Sequence, residues 1–320
     1  MTTPAPTAAT PAAPAPTAVP APTAVPAPTA VPAPTAAPAF APASASAPAT
    51  RTRLAVDADA LAAYRAAART RLPAPARPGA SPAHPFVLAH TLAQHTVTAL
   101  TAGDPGFTGV VHLAQEIHTH TPLRPGTDLD VTVEVTAARR ENRGTRLALT
   151  TRLSCATTGT TVASLATAAL LTGATTATPF GTPAPAAHPG TTPDAEPAAY
   201  ALTLTREDTA AYATASGDLN PIHLDDHAAR AAGFPGVIAH GMHLLALAAE
   251  HLTDRHAAGD PCRVTALGAR FAAPLAPGTP LRLTLQPYDR GTVVRFTLAT
   301  EAGTAVKAGW AHIAPAGAGE

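Results

Sequence analysis

Cysteine is almost missing from this chain: Cys155 and Cys262 are the only two in 320 residues, and no Cys-x-x-Cys occurs. That argues against a disulfide-stapled scaffold or a zinc ribbon and fits a reducing cytoplasm. Neither sign of charge is in excess, 21 basic residues standing against 21 acidic ones with no basic run. A nucleic-acid surface or a polybasic membrane patch would need such a run, so neither nucleic acid nor membrane is expected as a partner. No apolar run reaches membrane-spanning length. The start of the chain also lacks the basic region and compact apolar core of a secretory signal. Residues 1–50 carry no charge at all, and the hexad Ala-Pro-Thr-Ala-Val-Pro begins at 15, 21 and 27. Proline at that density removes backbone donors, and alanine offers too little apolar surface to offset ordering, so a disordered tail is expected there.

What is present is a repetition. Asp59-Ala60-Leu61-Ala62-Ala63-Tyr64 parallels Asp208-Thr209-Ala210-Ala211-Tyr212 at an offset of 148. Leu88-Ala89-His90 parallels Ile238-Ala239-His240 at 150, and the turn ending Pro125-Gly126-Thr127 parallels Pro277-Gly278-Thr279 at 152. After each Pro-Gly-Thr the apolar period becomes two. Leu129, Val131, Val133 and Val135 alternate with polar residues in one copy, Leu281, Leu283 and Leu285 in the other, then Val294, Phe296 and Leu298. These are half-buried antiparallel strands, with Gly144 and Gly291 placed for hairpin turns. Met242, Leu245, Ala246, Ala249 and Leu252 recur at helical spacing and predict a helix with one apolar face. The expectation is a duplicated α+β fold: a first copy over 51–172, a Thr/Ala/Pro/Gly-rich linker over 173–197, and a second copy over 198–316.

The second copy carries the chemistry. Ser216-Gly217-Asp218-Leu219-Asn220-Pro221-Ile222-His223 sets one carboxylate and one imidazole five positions apart across an Asn-Pro turn, and Ala239-His240-Gly241-Met242 follows. Proline fixes its own φ and asparagine favours the turn, which aims both side chains at one point. From Tyr212 to Leu252 the pattern Y-A-x-x-S-G-D-x-N-P-I-H-x-D, then A-G-F, then I-A-H-G-M resembles the MaoC-type, or (R)-specific enoyl-CoA hydratase 2, family. The resemblance is strong over the last 120 residues or so and weak before them. It implies a double hot-dog fold, in which each copy is a long central helix wrapped by an antiparallel sheet. It also implies interconversion of trans-2-enoyl and (R)-3-hydroxyacyl thioesters. Asp218 and His223 would be the catalytic pair, Asn220 would set the loop, and the Gly241 N–H would contribute to an oxyanion site. A Ser that some members carry about two turns into the helix is Ala249 here.

His240 reads equally as a substrate contact or as a residue fixing the loop. Asp225 and Asp226 read as the start of a solvated helical turn. His118 and His120 form an H-x-H with no further ligand at suitable spacing, so no metal site is expected. No nucleotide or redox cofactor is called for either, the substrate being a thioester of coenzyme A or of an acyl carrier protein. At the matching offsets, Asp218 falls on Thr70 or Ala68 and His223 on Pro75 or Pro73. One active site is therefore expected, with the first copy supplying packing and room for an acyl chain. A carrier-protein dehydratase and a non-catalytic acyl-binding module remain alternatives. The two copies already form a pseudo-dimer, so monomer and homodimer are both open.

Overall fold

The computed structural model describes residues 1, 49–175, 178–183 and 187–316, so the repeats of the Pro/Ala/Thr tail lie outside the described residues. The first copy runs β1 (Thr50–Ala55), α1 (Ala58–Ala68), α2 (His84–Thr101), β2 (Gly109–Thr119), β3 (Asp128–Glu141), β4 (Gly144–Cys155) and β5 (Thr161–Thr172). The second runs β6 (Ala198–Leu202), α3 (Arg206–Ser216), α4 (Asp226–Ala231), α5 (Gly241–His256), β7 (Val264–Phe271), β8 (Leu281–Tyr288), β9 (Val293–Thr300) and β10 (Gly303–Ile313). Residues described between 173 and 197 form no helix or strand, only isolated bridges of Phe180 to Ala138 and Pro193 to Tyr288. No described helix is long and apolar enough to cross a membrane.

The ten strands among the described residues join one antiparallel sheet in the order β1-β3-β4-β5-β2-β7-β10-β9-β8-β6. The order of one half is the mirror of the other, and the halves meet at β2 and β7, where Ala114 pairs with Arg270 and His118 with Ala266. This is the double hot-dog arrangement. The predicted alternation is present: Leu129, Val131, Val133, Val135, Leu281, Leu283 and Leu285 are all buried. The duplication is visible in matched hydrogen bonds. Gly126 N–H donates to Val56 O and Gly278 N–H to Leu204 O, while Thr127 and Thr279 close the same turn on Arg124 and Ala276. The matched tyrosines Tyr64 and Tyr212 meet hydroxyl to hydroxyl at 3.1 Å.

One parallel is corrected. Helix α2 begins at His84, and His84 packs edge-on against Tyr64 at 5.0 Å. Helix α5 begins after His240, which packs against Tyr212 at 5.1 Å. Ala83-His84 is thus the counterpart of Ala239-His240, and His90 lies deeper inside α2. The misreading has a cause: 15 residues (69–83) join α1 to α2, but 24 (217–240) join α3 to α5. The longer connection carries the Asp218–His223 loop. The shorter one, Arg69 to Ala83, holds no Asp, Glu or His.

Helix α5 is also buried further round than its periodicity predicts, since every residue from Met242 to Thr253 is buried. Leu245, Leu247 and Leu252 are among the largest fully buried side chains, each contributing about 1.5–3 kcal/mol. The polar face is covered by the other copy. Glu250, with no exposed surface, accepts from Arg65 Nε at 3.1 Å and Arg69 Nη1 at 2.8 Å, both on or beside α1. Arg69 continues to Asp254 at 2.8 Å.

Candidate active site

Helix α3 starts on a capping box, Thr205 accepting from the Asp208 N–H while the Asp208 carboxylate accepts from the Thr205 N–H, so two orphan donors are satisfied at once. It stops at Gly217, whose φ of 71° lies in the left-handed region that glycine enters without a Cβ penalty. The chain therefore turns sharply, and Asp218 follows at once. Asn220 Oδ1 accepts from the Ile222 N–H at 3.3 Å and heads a single 3-10 turn, Pro221–His223. Two opposed bonds dock that turn on the segment before α5: Ile238 N–H donates to Ile222 O, and His223 Nδ1–H donates to Ile238 O at 2.8 Å.

The second of these bonds fixes the His223 tautomer. With its proton on Nδ1, the neutral ring presents the Nε2 lone pair as an acceptor. Burial holds the His223 pKa below the ordinary imidazole value, partly opposed by the Ile238 bond and by Asp218. His240 is 1% exposed and its Nε2–H donates to the Asp218 carbonyl at 2.9 Å. Its ring stacks on His223 at 3.7 Å between centroids, and burial with the neighbouring His223 pushes its pKa down to about 4. Of the two readings of His240, loop fixing is therefore the one with a visible contact. Asp226 is likewise more than a solvated residue, its carboxylate accepting from the Val237 N–H and pairing with Arg206.

One ligating atom from each of Asp218, His223 and His240 lies within 4.8 Å of the others, which makes this the grouping among the described residues that could share an ion. The same spacing fits one water bonded to two groups at about 2.8 Å each. Asp218 is the most open of the three, its side chain 19% exposed against 9% for His223. Neither the Gly241 nor the Met242 N–H has an acceptor among the described residues. They leave the start of α5 as a pair of free donors at the positive end of the helix.

Gly241 has a second constraint that the sequence does not disclose. A Cβ there would come within 2.9 Å of Cγ and Cδ1 of the Phe271 ring. Gly241→Ala is expected to displace the α5 start, costing about 1–3 kcal/mol of stability and, because the displaced N–H groups no longer point at the thioester oxygen, on the order of 10²–10³-fold in kcat. Thermal melts and initial rates check this, and a variant with wild-type kcat would remove Gly241 from the site.

Sequence reasoning missed what the first copy brings here. His90 Nε2, from α2, lies 3.7 Å from Asp218 Oδ1. Phe86 stacks on His112 at 5.5 Å, and His112 meets Phe271 edge-on at 4.8 Å. Burial pushes the His112 pKa down to about 4. The match of Leu88-Ala89-His90 to Ile238-Ala239-His240 set His90 ahead of the first copy's helix and gave no signal of this contact.

Comparison with known proteins bears on the second copy and on the fold. The family model described as "MaoC like domain" matches residues 186–308. The chain is similar to that family over this stretch. It is similar to peroxisomal multifunctional enzyme type 2 of Drosophila melanogaster, 36% identical over 37% of this chain and 19% of that one. It is also similar to 3-hydroxyacyl-thioester dehydratase Y of Mycobacterium tuberculosis, 36% identical over 32% of this chain and 36% of that one. The matched segment spans about a third or less of these curated relatives. A MaoC-like dehydratase of Phytophthora capsici superposes with a TM-score of 0.69 at 20% identity, over 85% of this chain and 97% of that one. That match shows the fold of both copies.

Proposed function

We propose that the protein is a hydro-lyase interconverting trans-2-enoyl and (R)-3-hydroxyacyl thioesters at the Asp218/His223 pair. The observation that carries the reading is the water-sized gap between a partly open carboxylate and an imidazole whose lone pair is fixed on Nε2. In the hydration direction, Asp218 and His223 hold one water over C3 of the substrate. As its oxygen bonds to C3, its proton passes to His223 Nε2, and the Asp218 carboxylate stabilises the imidazolium. Charge developing on the thioester oxygen meets the free N–H groups of Gly241 and Met242. The proton then moves from His223 to C2, the carbonyl re-forms, and the site is restored. Dehydration retraces these steps. Protons and water suffice, so no metal or redox cofactor enters. The names of the relatives, a 3-hydroxyacyl-thioester dehydratase among them, support the reaction class, and a carrier-protein thioester is the alternative substrate form.

The test follows absorbance at the enoyl-thioester band with crotonyl-CoA and with a longer trans-2-enoyl-CoA. Loss of the band is expected, and the rate ratio reports the acyl length accepted. A folded protein inert to both CoA esters and to an enoyl carrier-protein thioester would refute the reading.

A further inference from the structure

The catalytic pair lies in the second copy, yet the carboxylate is contacted from the first. His90 sits on α2, its side chain 12% exposed, and its Nε2 is buried without a hydrogen-bond partner. The acceptor it faces is Asp218 Oδ1 at 3.7 Å. The same oxygen takes the Asn220 N–H at 3.4 Å. A buried polar nitrogen left unmade is costly, and an imidazole lone pair aimed at a carboxylate would be repelled. The geometry therefore selects the tautomer with the proton on Nε2. The ring is held in place by Phe86, 5.2 Å away, which also stacks on His112.

We infer that His90 is a positioning residue for the reaction proposed above. Its Nε2–H, together with the Asn220 N–H, holds Asp218 Oδ1 and leaves Oδ2 to orient the water. Bonds of this kind are often long in an empty site and tighten when substrate closes it. The first copy is then part of the catalytic assembly, beyond packing and acyl-chain room, and α2 and the Asp218 loop must stay in register for turnover.

The inference rests on the hydro-lyase reading for its kinetic arm only. His90→Leu, which removes the donor, is expected to lower kcat by about 10- to 100-fold with KM within about twofold. His90→Gln, whose amide nitrogen reaches the place of Nε2, is expected to recover most of that loss. Thermal midpoints of both are expected near wild type, so that a folding defect is not read as a kinetic one. A His90→Leu enzyme with wild-type kcat, or a His90→Gln enzyme as impaired as it, overturns the inference.

A second arm needs no turnover. In a long-range 1H–15N spectrum of the imidazoles near neutral pH, His90 is expected as the Nε2–H tautomer, with resonances that move in Asp218→Asn. A proton on Nδ1, or a ring insensitive to Asp218, sinks the idea even in an active enzyme. If no thioester is turned over while the His90 ring still reports on Asp218, the reaction is wrong and the contact between copies stands.

Discussion

Asp218→Asn is expected to lower kcat by about 10²–10⁴-fold, the range a positioned acid–base group supplies, while leaving KM and the thermal midpoint close to wild type. The substitution removes the charge and keeps the shape. The Asp218 backbone carbonyl, which accepts from His240 Nε2, is untouched by the change, and the amide oxygen of Asn can still accept the Asn220 N–H that Oδ1 accepts now. The pH profile should be informative in the same experiment. Burial lowers the His223 pKa, so its basic form persists below the ordinary imidazole value of about 6.5. Activity in wild type should therefore be lost only as pH falls through that depressed value, and the residual activity of the variant should be lost at a lower pH still, because the Asp218 charge it lacks is one of the groups that raise the His223 pKa. A variant with wild-type kcat, or a wild-type acid limb above about 6.5, would contradict this assignment of roles.

Glu250→Ala is expected to be the most destabilising single change away from the site. The carboxylate has no exposed surface and is shared by Arg65 and Arg69, which are 4% exposed. Replacing a buried pair by apolar residues can be neutral, but removing one partner strands the others. Here two guanidiniums would be left, of which Arg69 keeps Asp254 and Arg65 keeps the carbonyls of Arg77 and Gly79. The expected cost is about 3–5 kcal/mol, a fall in Tm on the order of 10 °C for a domain of this size. A fall in stability under about 1 kcal/mol would mean that the Glu250 ion pairs add little to what the β2–β7 ladder and apolar packing already hold together.

The strands were legible because half-burial writes itself into a period of two, as from Leu129 to Val135. The duplication was legible where a turn imposed the same residues twice, as at Gly126 and Gly278. It was misread at His90, where a three-residue match competed with a connection nine residues longer in the second copy, and no local pattern marks such an insertion. Periodicity also undervalued α5. Glu250 is tolerable in the core only because Arg65 and Arg69 reach it from residues 185 and 181 positions earlier in the chain. Asp218, Asn220, His223, His240 and Gly241 do come together, since a short loop and the adjoining helix start bring them there. His90, His112 and Phe271 were invisible as site residues because they arrive through tertiary packing.

The ten-stranded sheet is closed across its middle by β2 and β7, and both belong to one polypeptide. Two separate chains meeting at that seam would part on dilution. Two segments tethered by the stretch from 173 to 197 face each other at an effective concentration on the order of millimolar, whatever the amount of protein. That seam then carries no assembly step, and a tethered half can differ from its partner without the risk of pairing with its own duplicate. A half whose helix connection holds no carboxylate or imidazole is always delivered to the half whose connection holds both.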